Sequence, residues 1–244
     1  MSGNCLQFDI GNSSAKWRLI RAGRVAARGK YVAVDPSSWR ELIAAVATPE
    51  QIWIASVASP DAESILERRL YDHWGVRPWF ARTQLCTGDL VNSYAEPQRM
   101  GVDRWLAMLA GRRRAAGSLC VVDAGSALTI DLVSAAGQHE GGYIIPGPAL
   151  MERALLLDTD RVRFAEDIDY SLSPGTSTAE AVRHGVALAQ AGALALALKR
   201  CHETPNLVFS GGAGEVLMRL LDRGGEFAPD LVFEGLEVMA ALRS

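Results

Sequence analysis

The chain has 244 residues, of which 49% are hydrophobic and 22% charged, enough to bury a real core as one large domain or two joined ones. A net charge of -3 gives no electrostatic basis for nucleic acid as a dedicated partner. The first residues, Met1 to Lys16, lack a basic segment followed by an apolar run, and the longest apolar stretch, GVALAQAGALALAL at 185–198, reads as too short and interrupted to span a bilayer. The expectation is a soluble cytoplasmic protein with no membrane partner.

The chain opens on CLQF, then Asp9, a turn of small residues and KWRLI, which predicts two strands joined by a tight hairpin. QIWIASVA at 51–58 predicts a buried strand, and the segment after it a helix with Asp61 near its start and Gly75 as its stop. From Asp103 to Ala116 the pattern is helical, with Asp103 read alone as an N-cap and Arg112, Arg113 and Arg114 as a solvated C-terminal end. SLCVVDAGSALTIDLV at 118–133 repeats the first hairpin: apolar run, Asp, Gly two residues on, Ser, second strand. Asp9, Gly11 and Ser13 correspond to Asp123, Gly125 and Ser126. A repeat at half the chain length predicts two similar α/β lobes, divided as 1–117 and 118–244, with a ligand between them.

GTSTAEAVRHG at 175–185 starts a long helix with Ser177 and Glu180 in capping-box spacing, and its small residues suit a core or dimer helix. NLVFSGGAGEVLMRLL reads as strand, glycine turn and helix, and DLVFEGLEVMAALR as a repeat of that order. Cys5, Cys86, Cys120 and Cys201 stand far apart, and the four histidines never reach metal-ligand spacing. Free, buried thiols are therefore expected.

The glycine turns raise nucleotide binding, but the common fingerprints fail. GRVAARGKY has the wrong spacing for a phosphate-binding Walker loop, and the GGAG at 211–214 lacks the third glycine of a dinucleotide turn. A single Asp-x-Gly is ordinarily an Asp capping its own turn. Two matched copies with Lys16 beside the first favour a triphosphate clamp. Glycines let backbone amides approach phosphate, Asn12 and the serines add donors, Lys16 adds charge, and a carboxylate at each strand end holds a cation.

The motifs DIGNSSAK, GVDRW, DAGSALT, GGYIIPG, TSTAEAV and FSGGAGE resemble, in order and spacing, those of the type III pantothenate kinases of the acetate and sugar kinase/Hsc70/actin superfamily. That family also includes proteins labelled Bvg accessory factors. The resemblance implies two duplicated actin-like (ribonuclease H-like) α/β lobes with mixed sheets flanked by helices, and ATP-dependent phosphorylation of pantothenate by a homodimer. By motif, Asp9, Ile10, Gly11, Asn12, Ser13, Ser14, Ala15 and Lys16 would cradle the ATP phosphates, with Asp9 helping to position Mg2+. Asp123 would hold a monovalent cation, K+ or NH4+, and Ser126, where the family usually has threonine, would meet ATP. Gly211 and Gly212 match the adenosine-side turn. Asp103 would be the general base, with Tyr94, Gly101, Val102, Asp103 and Arg104 around pantothenate and Thr178 reaching the pocket of the partner subunit. Alternatives at this point are a sugar or acetate kinase of the same superfamily, or a regulatory protein of this fold without turnover.

Overall fold

A computed structural model of the chain describes residues 3–11, 15–158 and 167–243. The elements run β1 (Cys5–Ile10), β2 (Ala15–Arg21), β3 (Arg24–Tyr31), α1 (Pro36–Ala45), β4 (Gln51–Ser56), α2 (Pro60–Trp74), β5 (Trp79–Phe80), β6 (Cys86–Thr87), β7 (Leu90–Val91) and α3 (Val102–Arg114). They continue with β8 (Leu119–Ala124), β9 (Ala127–Val133), β10 (His139–Pro146), α4 (Pro148–Asp158), α5 (Thr178–Leu198), β11 (Asn206–Ser210), α6 (Gly214–Leu221), β12 (Glu226–Phe227) and α7 (Leu231–Ala241).

Two compact units are present: Met1–Thr87 with Ala95–Ala110 and Val232–Ser244, and Gly88–Tyr94 with Gly111–Leu231. This division differs from a single cut at 117/118. Segment 88–94 groups with the second unit, and the last helix returns to the first.

In the first unit the strand order is β3-β2-β1-β4-β5. Strand β1 pairs antiparallel with β2 and parallel with β4, and Cys5, Leu6, Gln7 and Phe8 along it are all buried, as a strand covered on both faces requires. Leu6, Phe8, Trp17, Leu19, Ile54, Leu66 and Leu70 pack into one core. Helix α2 is bounded as its sequence predicts: the Ser59 hydroxyl accepts from the Ala62 N–H, and Gly75 closes the helix at φ 69, a left-handed conformation that glycine adopts without penalty. A polar cluster ties α7 to this sheet. Arg18 Nε donates to Gln7 Oε1 at 2.7 Å, and Arg18 Nη2 donates to Glu237 Oε1 at 2.8 Å.

The reading of DLVFEGLEVMAALR as strand, turn and helix is corrected: residues 231–241 form the one helix α7. Leu231, Val232, Phe233, Leu236 and Met239 are buried, covering about 200° of the helix surface at 3.6 residues per turn, so α7 is covered around more than half its circumference. Gly235 makes no turn. It lies where a Cβ would come within 1.9 Å of the Leu106 carbonyl oxygen, so the glycine permits α7 to rest directly on α3.

The second unit repeats the first in strand order, β10-β9-β8-β11-β12, with β8 antiparallel to β9 and parallel to β11. Cys120, Val122, Leu128, Ile130, Leu194, Phe209 and Leu217 form its core. Helix α5 spans 21 residues and contains an 18-residue window of mean hydropathy 1.3. It is long and apolar enough to cross a membrane, which corrects the shorter reading of 185–198. Its Val182, Val186, Gln190, Ala191 and Leu194 are nevertheless buried in the protein, the stripe of a core helix. The capping box is displaced by one residue. Ser177 Oγ accepts from the Glu180 N–H, as predicted, but Glu180 Oε2 reaches back to the N–H of Thr176 at 2.7 Å. That bond, with one from the Thr176 hydroxyl, holds the Glu180 carboxyl below its usual range.

The arginine run ending α3 is not simply solvated. Arg112 is folded back with its side chain 12% exposed, paired with Asp89 and donating to the carbonyls of Gly117 at 2.8 Å and Ala135 at 3.3 Å. Arg114 pairs with Glu226. Arg113 has no ion-pair partner among the described residues and is exposed. Besides lying at a helix C-terminus, which favours cations, the Arg112 and Arg114 guanidinium groups are paired with carbonyls and carboxylates of neighbouring segments.

Candidate active site

In the first unit, the candidate residues gather at the C-terminal end of β1 and at the start of α3. Asp9 and Ile10 end β1 and are half-buried, as is Gly11; Asn12, Ser13 and Ser14 lie outside the described residues. Across the hairpin, Ile10 stands opposite the buried Ala15 and Asp9 opposite Lys16, whose side chain is exposed. Directly opposed positions in an antiparallel pair put their side chains on the same face. A carboxylate and an ammonium are thereby presented together at the strand end.

Asp103 does not occupy the N-cap position. It sits inside the first turn of α3, where its Oδ1 accepts the N–H of Arg104 at 2.8 Å, one of the donors that a helix start leaves without an intrahelical acceptor. The carboxylate is half-buried. Gly101 precedes it at a point where a Cβ would fall 2.5 Å from Asp103 Oδ1, so the glycine leaves the carboxylate its room. Val102 and Arg104 are both 5% exposed, so Arg104 is not a surface arginine. A guanidinium at that depth must be held by hydrogen-bond partners.

In the second unit, Asp123 ends β8 in register with Thr129 of β9 and Ser210 of β11. A half-buried carboxylate is thus flanked by two hydroxyl-bearing residues on the same sheet face. The turn that follows is fixed by backbone bonds: Gly125 N–H donates to Ala127 O at 2.9 Å, Gly147 N–H to Ser126 O at 3.0 Å, and Ala213 N–H to Ala124 O at 2.9 Å. Two glycines permit that assembly. Gly211, at φ +81, would place a Cβ 2.4 Å from Asp123 Oδ1, and Gly147 would place one 2.3 Å from the Gly125 carbonyl oxygen. Gly125, Ser126 and Gly212 are exposed, and around Gly212 the Cβ position is open. The structure therefore brings Asp123, Ser126, Gly211 and Gly212 into one constellation.

Thr129, Ser210 and Gly147 belong to it too, and sequence reasoning passed over them. Gly147 closes the quoted motif GGYIIPG, but its role as a buttress under the 125–126 turn is a tertiary fact. Tyr94, half-buried, lies elsewhere in this unit, its ring centroid 6.1 Å from that of His139. Thr178 is the exposed first residue of α5 and lines an apolar groove of 650 Å³ with Leu150, Met151 and Leu155 of α4 and Ala181 and Gly185 of α5.

All four cysteines carry free thiols. Burial pushes the Cys5 thiol up to about 12 and that of Cys120 further still, so neither offers a thiolate at neutral pH. Cys86 departs from the expectation: it is exposed in the two-residue strand β6.

No three His, Cys, Asp or Glu side chains converge on a metal position among the described residues. The Asp9 carboxylate at the end of β1 is a donor of the kind a nucleotide-borne Mg2+ takes, since that ion keeps several waters and phosphate oxygens and needs only one or two carboxylates.

Residues 5–200 match the family model described as type III pantothenate kinase. The chain is 35% identical over 236 residues to the type III pantothenate kinase of Hahella chejuensis, covering 96% of each. It is 34% identical to that of Azotobacter vinelandii, covering 98% of this chain and 99% of the other. Among solved structures, a protein described as a Baf family transcriptional activator from Campylobacter jejuni superposes with a TM-score of 0.62 at 22% identity, over 97% of both chains. The activator of the 2-hydroxyisocaproyl-CoA dehydratase from Clostridium difficile, solved with bound ADPNP, gives 0.53 at 13% identity, over 98% of this chain and 93% of that one. At those identities the structures speak for the fold, which is the duplicated actin-like α/β arrangement. The family match runs through both acidic hairpins and the start of α3, and the chain belongs to the type III pantothenate kinase family.

Proposed function

We propose that this chain transfers the γ-phosphate of ATP to the primary hydroxyl of pantothenate, giving 4'-phosphopantothenate in the first step of coenzyme A biosynthesis. Family membership supplies the substrate. The observation that carries the chemistry is the equivalence of Asp9 and Asp123, each on the central strand of a sheet with the same order and each followed two residues on by a glycine.

Phosphoryl transfer asks a protein mainly for alignment and for neutralisation of charge. The turn from Asp9 to Lys16 binds the phosphates through its amides, its hydroxyls and the Lys16 ammonium. The Asp9 carboxylate would help to position Mg2+, which when bound would supply positive charge that offsets the phosphate charge. Asp123, with the hydroxyls of Thr129 and Ser210 beside it, is an all-oxygen donor set of the kind a hard monovalent cation takes; Ser126 donates to ATP, and the Gly211–Gly212 turn meets the adenosine side. Asp103 takes the hydroxyl proton as the oxygen attacks phosphorus. It is held for this by the Arg104 N–H, while Arg104, Tyr94, Gly101 and Val102 bind pantothenate. Thr178 acts in a homodimer whose second copy covers the groove between α4 and α5, where Leu150 and Leu155 are exposed. The reaction belongs in the cytoplasm, with no membrane or nucleic-acid partner.

The test is a coupled assay of ADP release in potassium buffer. Release that depends on pantothenate is expected; release on acetate or a sugar instead would assign the chain to another kinase of the superfamily, and no release with any acceptor would leave it a binding protein. In the same assay, replacing K+ and NH4+ by Na+ reduces the rate to background. Full activity in Na+ alone would remove Asp123 from its cation role.

A further inference from the structure

Segment 88–94 is fastened at successive points to the end of α3 and along the β9–β10 hairpin. Asp89 receives the Arg112 guanidinium. The Val91 N–H donates to the Gly137 carbonyl at 3.0 Å, and Gln138 Nε2 donates to the Val91 carbonyl at 3.4 Å. Gly137, at φ +84, would set a Cβ 2.2 Å from the Asp89 carbonyl oxygen, so the two chains run at backbone distance.

The last fastening is chemically different from the others. The exposed Ser93 hydroxyl lies 2.8 Å from His139 Nδ1, and His139 Nε2 lies 3.1 Å from Asp131 Oδ1. His139 and Asp131 are each 1% exposed. An ionised carboxylate only accepts, so Nε2 carries a hydrogen, and in a neutral ring Nδ1 is then the acceptor for the Ser93 O–H. Serine, histidine and aspartate stand in line, yet the ring is turned the opposite way from a hydrolase triad, where Nε2 faces the serine and Nδ1 the aspartate. The group is arranged to hold a chain segment. Its neighbour is Tyr94, whose N–H donates to the buried Asn92 Oδ1 at 2.9 Å and whose ring is tilted 36° to the His139 ring.

We infer that Asp131, His139 and Ser93 form a hydrogen-bonded relay that fixes the orientation of Tyr94 and so sets the affinity for the acceptor substrate. The three are positioning residues, with no part in phosphoryl transfer. The inference rests on the reading above that Tyr94 lines the pantothenate pocket.

A kinetic double-mutant cycle tests it. Ser93→Ala removes the exposed end of the relay, and the loss of one hydrogen bond corresponds to a rise of about three- to ten-fold in KM for pantothenate, with kcat and KM for ATP within about two-fold of wild type. Ser93→Thr, which keeps the hydroxyl, restores the wild-type KM. In a Tyr94→Ala background, itself raised in KM, Ser93→Ala has no further effect. A silent Ser93→Ala beside an impaired Tyr94→Ala, or equal effects of Ser93→Ala in both backgrounds, would reject the relay and leave Tyr94 in the pocket. An unchanged KM in Tyr94→Ala would instead remove Tyr94 from the pocket and the inference with it.

Discussion

Asp103→Asn is expected to lower kcat for pantothenate phosphorylation by about 10² to 10⁴ with thermal stability almost unchanged. The two halves of that result have separate physical causes. Asparagine keeps an oxygen that accepts the Arg104 N–H, so the first turn of α3 retains its partner, and a half-buried carboxamide costs the fold little. What it lacks is basicity: an amide oxygen cannot take the proton that the acceptor hydroxyl must lose. KM for ATP should stay near wild type, since the nucleotide is assigned to other residues. Steady-state kinetics with a thermal melt on the same preparation checks both halves. A folded variant with near-normal turnover would strip Asp103 of the base role and leave its first-turn bond as its only function.

Gly235→Ala is the second large effect, and it sets two principles against each other. Helix propensity alone favours alanine over glycine by about 1 kcal/mol. Against that, the new methyl would meet the Leu106 carbonyl oxygen at 1.9 Å and its carbon at 2.4 Å. These are backbone atoms inside α3, which no rotamer change can clear. Helix α7 must then move off α3, loosening Leu231, Leu236 and Met239, all at most 3% exposed. Overpacking of this kind costs about 1–3 kcal/mol, and more where backbone must shift. The clash wins, and a net loss of about 2–4 kcal/mol is expected, a fall in Tm of roughly 5–15 °C for a chain of this size. A variant as stable as wild type would show that propensity governs position 235 and that the helices do not rest on each other there.

Much of this was legible in the residues. The two Asp-x-Gly hairpins could be read because strand pairing is local: an apolar run, a turn of small residues and a second run define one another within about twenty positions. The sheets form with those hairpins in place and in the same strand order. Ser59, Gly75 and Ser177 bound their helices for the same reason, since a cap is satisfied by neighbours in sequence. The failures share the opposite cause. Arg112 looked solvated because its acceptors, Asp89, Gly117 and Ala135, lie on other segments. Nothing in GVDRW says that this turn, with Arg104 in it, is buried. The segment DLVFEG looked like a strand and a turn because the glycine's reason is a carbonyl of α3 about 130 positions away along the chain.

The sequence by itself determined the α/β class, the duplication, the acidic strand ends and the family, because each is written in short-range pattern or in ordered motifs. Only the tertiary structure decided which side chains stand beside those motifs. It put Thr129 and Ser210 next to Asp123, Gly147 beneath the 125–126 turn, and His139 between Asp131 and Ser93. It also carried the last helix back to the first unit. The physical reason is that hydrogen bonding and burial are set by distance in space, and a folded chain brings together residues that its linear order keeps apart.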